Sequence, residues 1–187
     1  MAVPWMKRST NRRRKPAALI FVRALSQSAR RGYLEFGALK VPCALGRAGV
    51  KALKREGDSA TPRGEFKLSY LLYRQGRPRP RSAIRLKPIR RDDGWCDCPG
   101  DRNYNRPVSL PYPASAEHLW RRDGLYDVVV VLDYNIVPRV RNRGSAIFMH
   151  IARKNFEPTE GCVALRDNDL RRLVSRLPRN SKIAIRL

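Results

Sequence analysis

Hydrophobic positions along the 187-residue chain fall mostly in short runs separated by turn-forming residues, a strand pattern. Residues 18–25, 33–36, 40–45, 64–73, 126–133, 145–152 and 182–187 are the segments that predict strands. Val128-Val129-Val130-Val131-Leu132 has no polar alternation, so it predicts a central strand covered on both faces. One helix is predicted from Leu170, Leu173, Val174 and Leu177, which recur at i, i+3, i+4 and i+7. Asp167 or Asn168 is its expected N-cap and Pro178 its terminator. Ala114–Trp120, which contains His118, reads as the surface of a short helix. Between residues 74 and 113 Pro, Arg, Asp and Gly are frequent, as in Arg77-Pro78-Arg79-Pro80 and Cys98-Pro99-Gly100. That stretch is too long for a plain connector and reads as a structured functional insertion. The fold class is therefore mainly β, with a basic segment at residues 1–17 preceding one domain at residues 18–187.

The start of the chain has two readings. Met1–Lys15 resembles the basic n-region of a leader and Ala17–Val22 is apolar. Arg23 ends that run after six residues, short of the roughly 7–15 of a secretory h-region, so a first strand is the preferred reading.

Composition narrows the classes. A hydrophobic fraction of 42% supports a real core, and no run of about 20 apolar residues is present to span a bilayer. Four cysteines are too few for a disulfide scaffold. Forty bases against 16 acids give a net charge of +24, and 31 of the bases are arginine. Such a field attracts any polyanion: nucleic acid, anionic lipid or an acidic wall polymer. No helix-turn-helix, zinc finger or aromatic ribonucleoprotein motif accompanies it, and the bases are dispersed, so no specific nucleic acid is expected. Cys96 and Cys98, with Cys43 or His118, have poor spacing for zinc, and no metal or other cofactor is expected.

Imidazole chemistry has two candidates, His118 and His150. His150 lies in a strand-like run, and Thr159-Glu160-Gly161-Cys162 follows with Cys162 twelve residues after it. Fully extended, that gap spans roughly 40 Å. The two side chains meet only if the chain reverses, for which Asn155-Phe156-Glu157-Pro158 and Gly161 supply turn chemistry. A cysteine after a glycine and ahead of an amphipathic helix suits a nucleophile, with the imidazole as base and nearby N–H groups for an oxyanion. A small buried hydrophobe is the alternative reading of such a cysteine.

These residues resemble the YkuD-type L,D-transpeptidases, whose signature is a histidine followed by Ser/Thr-His-Gly-Cys. Leu45-Gly46-Arg47-Ala48-Gly49, Thr61-Pro62-Arg63-Gly64, Trp95-Cys96-Asp97, Asp101–Asn105 and Tyr126-Asp127 are similar to other segments of the family. The resemblance spans roughly residues 18–187. It implies a mixed β-sandwich, with Cys162 as nucleophile, His150 as base and Gly161 with Cys162 as oxyanion donors. It also implies peptidoglycan stem peptides as substrate, giving 3-3 or 1-3 cross-links, or carboxypeptidase or amidase activity if water is the acceptor. A monomer in the periplasm or cell envelope is expected. Glu160 stands where the family has histidine and Ala164 where it often has arginine, so Arg166 is the expected carboxylate-binding group and Glu160 the expected site for an amine. Thr159, Trp95, Tyr104 and Asn105 are further substrate-contact candidates.

Overall fold

A computed structural model describes residues 17–187; of the basic segment expected at residues 1–17, all but Ala17 lies outside the described residues. Strands β1 (Leu19–Ala24), β2 (Arg31–Phe36) and β3 (Leu39–Ala44) form an antiparallel meander. The apolar run after the basic amino terminus is thus a strand, flanked on both sides. A short parallel pair, β4 (Val50–Lys51) and β5 (Thr61–Pro62), leads into the long β6 (Gly64–Arg74) and then β7 (Leu86–Ile89). Next come β8 (Asp93–Cys96), β9 (Arg106–Ser109) and β10 (Ala116–His118), which make a small sheet in the order β10-β8-β9. The chain ends with β11 (Val128–Leu132), β12 (Phe148–Ile151), β13 (Val163–Leu165), helix α1 (Asp167–Arg176) and β14 (Lys182–Arg186).

The large sheet has the order β11-β12-β13-β3-β2-β1-β14-β6-β7, and β6 also pairs with β11. The length of β6 explains this. Its first half pairs with β14 and its second half with β11, with a register shift at the Val131/Leu132 end of β11. The sheet therefore closes on itself, which removes most of its open edges. Its core takes Ile20, Val22, Leu34, Val41, Leu71, Val128, Val130, Met149, Val163 and Leu165, with Leu170, Leu173 and Val174 of α1.

β11 is buried along its whole length, as its unbroken apolar run predicts. Val128 and Val130 enter the main core, whereas Val129 and Val131 enter a second cluster with Trp95, Leu119, Tyr126, Phe148 and Cys162. The Arg- and Pro-rich insertion supplies the outer wall of that second cluster. Trp95 meets Phe148 edge to face, with ring centroids 5.1 Å apart.

Two local expectations are corrected. The N-cap of α1 is Arg166, and Asp167 lies in the first turn, where it receives Arg171 Nε at 2.6 Å and faces the positive helix end. His118 lies on an exposed strand position of β10, because the segment pairs with β8 instead of coiling into a helix.

Candidate active site

β12 and β13 run parallel, with His150 opposite Ala164, and this pairing brings the two halves of the suspected dyad to one place. The intervening chain reverses through Asn155 and Phe156, both at positive φ, and through Gly161 at φ +135°. A Cβ at Gly161 would lie 2.7 Å from the Ala60 carbonyl oxygen, so glycine is required there by both conformation and space. Thr159 shapes the turn: its hydroxyl donates to the Cys162 carbonyl at 2.7 Å and accepts Gly161 N–H at 3.1 Å. Backbone bonds of Thr159 N–H to Leu45 O (2.9 Å) and Arg47 N–H to Thr159 O (2.8 Å) stitch this turn to the loop after β3. Glu160 completes the seam, taking Arg47 Nη2 and Ser59 Oγ at 2.5 Å each on its two oxygens.

Cys162 and His150 line one cleft of about 200 Å3, together with Arg47, Glu117, Arg121, Tyr126, Arg153, Glu157 and Glu160. The thiol donates to Ala146 O at 3.2 Å and accepts Phe148 N–H at 3.3 Å. His150 Nδ1 lies 2.8 Å from the Ile151 carbonyl, which assigns the proton to Nδ1 and leaves Nε2 as a free base. The Tyr126 ring meets the imidazole edge to face at 5.2 Å. Burial pulls the His150 pKa down to about 4. Burial, then the Glu117 carboxylate, pushes the Cys162 thiol up to about 12. Both groups are therefore neutral at rest near neutral pH.

The chain matches the family of L,D-transpeptidase catalytic domains called YkuD over residues 26–185. It belongs to that family. Among curated proteins, none matches the chain in sequence.

Of the residues singled out from the sequence, the YkuD cleft gathers Cys162, His150, Thr159 and Glu160. Arg166 is not among its lining residues; its guanidinium lies over the Phe156 ring at 5.3 Å. Trp95, Tyr104 and Asn105 are buried to 2%, 1% and 2% exposure and are not among the cleft's lining residues. Asn105 Oδ1 accepts Trp95 Nε1–H (2.9 Å) and Ala146 N–H (3.1 Å), while its amide donates to Tyr134 O (3.1 Å) and Asn135 O (2.8 Å). It thus holds Ala146, the residue whose carbonyl accepts the thiol's hydrogen bond.

Sequence reading missed Glu117, Arg121 and Arg153. Glu117 was hidden because its segment reads as helix; in β10 neighbouring side chains alternate, and Glu117 lines the cleft beside the exposed His118. Among the described residues no three His, Cys, Asp or Glu side chains gather to hold a metal, and all four cysteines are free thiols. No described helix is long and apolar enough to cross a membrane.

Proposed function

We propose that the chain is a peptidoglycan L,D-transpeptidase acting in the periplasm or cell envelope, with Cys162 as nucleophile and His150 as its base. The observation that carries this reading is a thiol and an Nε2-free imidazole in one cleft, on a YkuD scaffold. Three arginines lie around the same cleft, a suitable surround for a substrate rich in carboxylates. Arg47 is held by Glu160, Arg121 by Asp123 at 2.5 Å, and Arg153 by Glu157 at 3.7 Å. Arg121 and Arg153 take the carboxylate-binding role first expected of Arg166.

In the first half-reaction His150 Nε2 takes the thiol proton as sulfur attacks the stem-peptide carbonyl, and the imidazolium then protonates the leaving amine. Gly161 N–H is engaged by Thr159, so the Cys162 N–H is the oxyanion donor of the two expected. The thioester is then resolved by an amine of a second stem; water in that place gives a carboxypeptidase or amidase. Mass analysis of muropeptides incubated with the protein tests the reading. Cross-linked products are expected with the wild type and none with Cys162→Ser, because a serine hydroxyl is a far weaker acid than a thiol. Full activity in that variant refutes Cys162 as nucleophile.

A further inference from the structure

Three carboxylates line the cleft, and they are not equivalent. Glu160 has both oxygens engaged by Arg47 and Ser59. Glu157 is 58% exposed and faces Arg153. Glu117 is 28% exposed, and its Oε1 receives the Tyr126 hydroxyl at 2.5 Å with Arg121 Nη1 at 4.0 Å. Its Oε2 has no hydrogen-bond partner among the described residues. Tyr126, which anchors Glu117, is the same residue whose ring edge packs against His150. An acyl acceptor that attacks a thioester must arrive beside Cys162 and His150, and an alkylamine arrives as an ammonium ion.

We propose that Glu117 is the ammonium-binding residue of the acyl-acceptor subsite and takes the first proton of the incoming amine. This deepens the transpeptidase reading and rests on it. It also moves amine recognition away from Glu160, where the sequence had placed it, to a carboxylate with a free oxygen. Burial raises the Glu117 pKa, which strengthens it as a base toward an ammonium ion.

The step balances. The ammonium gives one proton to Glu117 Oε2, and the neutral amine attacks the thioester carbonyl, forming the C–N bond. His150 Nε2 takes a second N–H proton, the C–S bond breaks, and the imidazolium returns that proton to the thiolate. Glu117 releases its proton to water.

The test is a partition experiment on Glu117→Gln, which keeps the shape and can still accept from Tyr126. A stem tetrapeptide serves as both donor and acceptor, and hydroxylamine, uncharged at neutral pH, competes for the same acyl-enzyme. Both products arise from one thioester, so the ratio of cross-linked dimer to hydroxamate is independent of acylation rate and of the folded fraction. The ratio is expected to fall at least tenfold in Glu117→Gln, equivalent to about 1.4 kcal/mol lost for the charged acceptor alone. Glu117→Asp is expected to restore part of it. An unchanged or increased ratio in Glu117→Gln overturns the proposal, including the case in which both products fall together and Glu117 merely supports Tyr126. Failure of the transpeptidase reading looks different: the wild type forms neither product.

Discussion

Changing the pH separates a neutral resting dyad from a preformed ion pair. With Cys162 near 12 and His150 near 4, both groups stay uncharged across the gap. Moving the proton from sulfur to imidazole without substrate crosses about eight pH units at about 1.4 kcal/mol each, or roughly 11 kcal/mol before the charges attract one another. Proton transfer must then accompany attack. Acylation by a carbapenem, followed as an intact-mass adduct on Cys162, is expected to be flat from about pH 5 to about pH 9. It should fall only as pH approaches 4, where His150 gains a proton and ceases to be a base. Iodoacetamide reacts by direct displacement of iodide, forms no oxyanion, and needs free thiolate. At pH 8 a thiol near 12 is about 10⁻⁴ ionised, against roughly a quarter for a free cysteine near 8.5. The greater nucleophilicity of a more basic thiolate recovers roughly 40-fold of that difference. Alkylation at Cys162, read by peptide mass to exclude Cys43, Cys96 and Cys98, should be roughly 50-fold slower than for free cysteine. It should climb about tenfold per pH unit from 7 to 10. Alkylation that levels off near pH 8, or an acid limb of acylation centred near 6 to 7, refutes this reasoning, and alkylation already level from about pH 6 upward shows a standing thiolate–imidazolium pair.

Two substitutions probe the frame around the dyad. Asn105→Ala removes four hydrogen bonds, at about 1 kcal/mol each, and strands the Trp95 Nε1–H and Ala146 N–H groups. A melting temperature lower by roughly 10 °C is expected, with slower carbapenem acylation, and an unchanged melting curve contradicts the role given to Asn105. Gly161→Ala puts a methyl 2.7 Å from the Ala60 carbonyl at a φ that favours glycine. Roughly 2–4 kcal/mol of stability should be lost on thermal unfolding, with at least a hundredfold drop in acylation; near-normal acylation excludes the tight turn as a requirement.

β1, β2, β3, β6, β11, β12, β14 and α1 were legible because their periodicity is local, whereas the short β4, β5, β7–β10 and β13 were not read as strands. β11 announced itself by five consecutive apolar residues, and α1 by its i, i+3, i+4, i+7 stripe. The meeting of Cys162 and His150 in one cleft was legible through spacing and resemblance. The histidine's orienting partner was not, because the Ile151 carbonyl is a backbone group that any residue supplies. Sheet closure was also hidden, since it depends on one long strand dividing its partners, a property of register. Trp95 and Asn105 were singled out because their residue types suit substrate contact; both are buried, against Phe148 and Ala146 respectively, which residue type alone does not reveal. Glu117 was missed because a short segment with both a helix and a strand reading is decided only by its pairing with β8.

Glu160, which stands where the family signature has histidine, is paired on both oxygens beside the turn that carries Cys162. An ionised carboxylate beside Gly161-Cys162 raises the thiol pKa, as the family's histidine need not, yet it ranks below burial and Glu117 among the causes of that shift. Donation from the Phe148 N–H to the sulfur and the Lys54 ammonium oppose that rise. What the chain gains is a tie between the Thr159–Cys162 turn and the loops at Arg47 and Ser59, across more than a hundred residues of sequence. The net charge of +24 operates on a different scale. Exposed arginines attract an anionic polymer over about one Debye length, roughly 8–10 Å, and do so without regard to which bond is presented. In the cleft each arginine already faces a carboxylate, so a substrate carboxylate must displace or share an existing pair. Under the function proposed for the cleft, discrimination comes from the partner each arginine gives up and from the Glu117 oxygen that has no hydrogen-bond partner among the described residues.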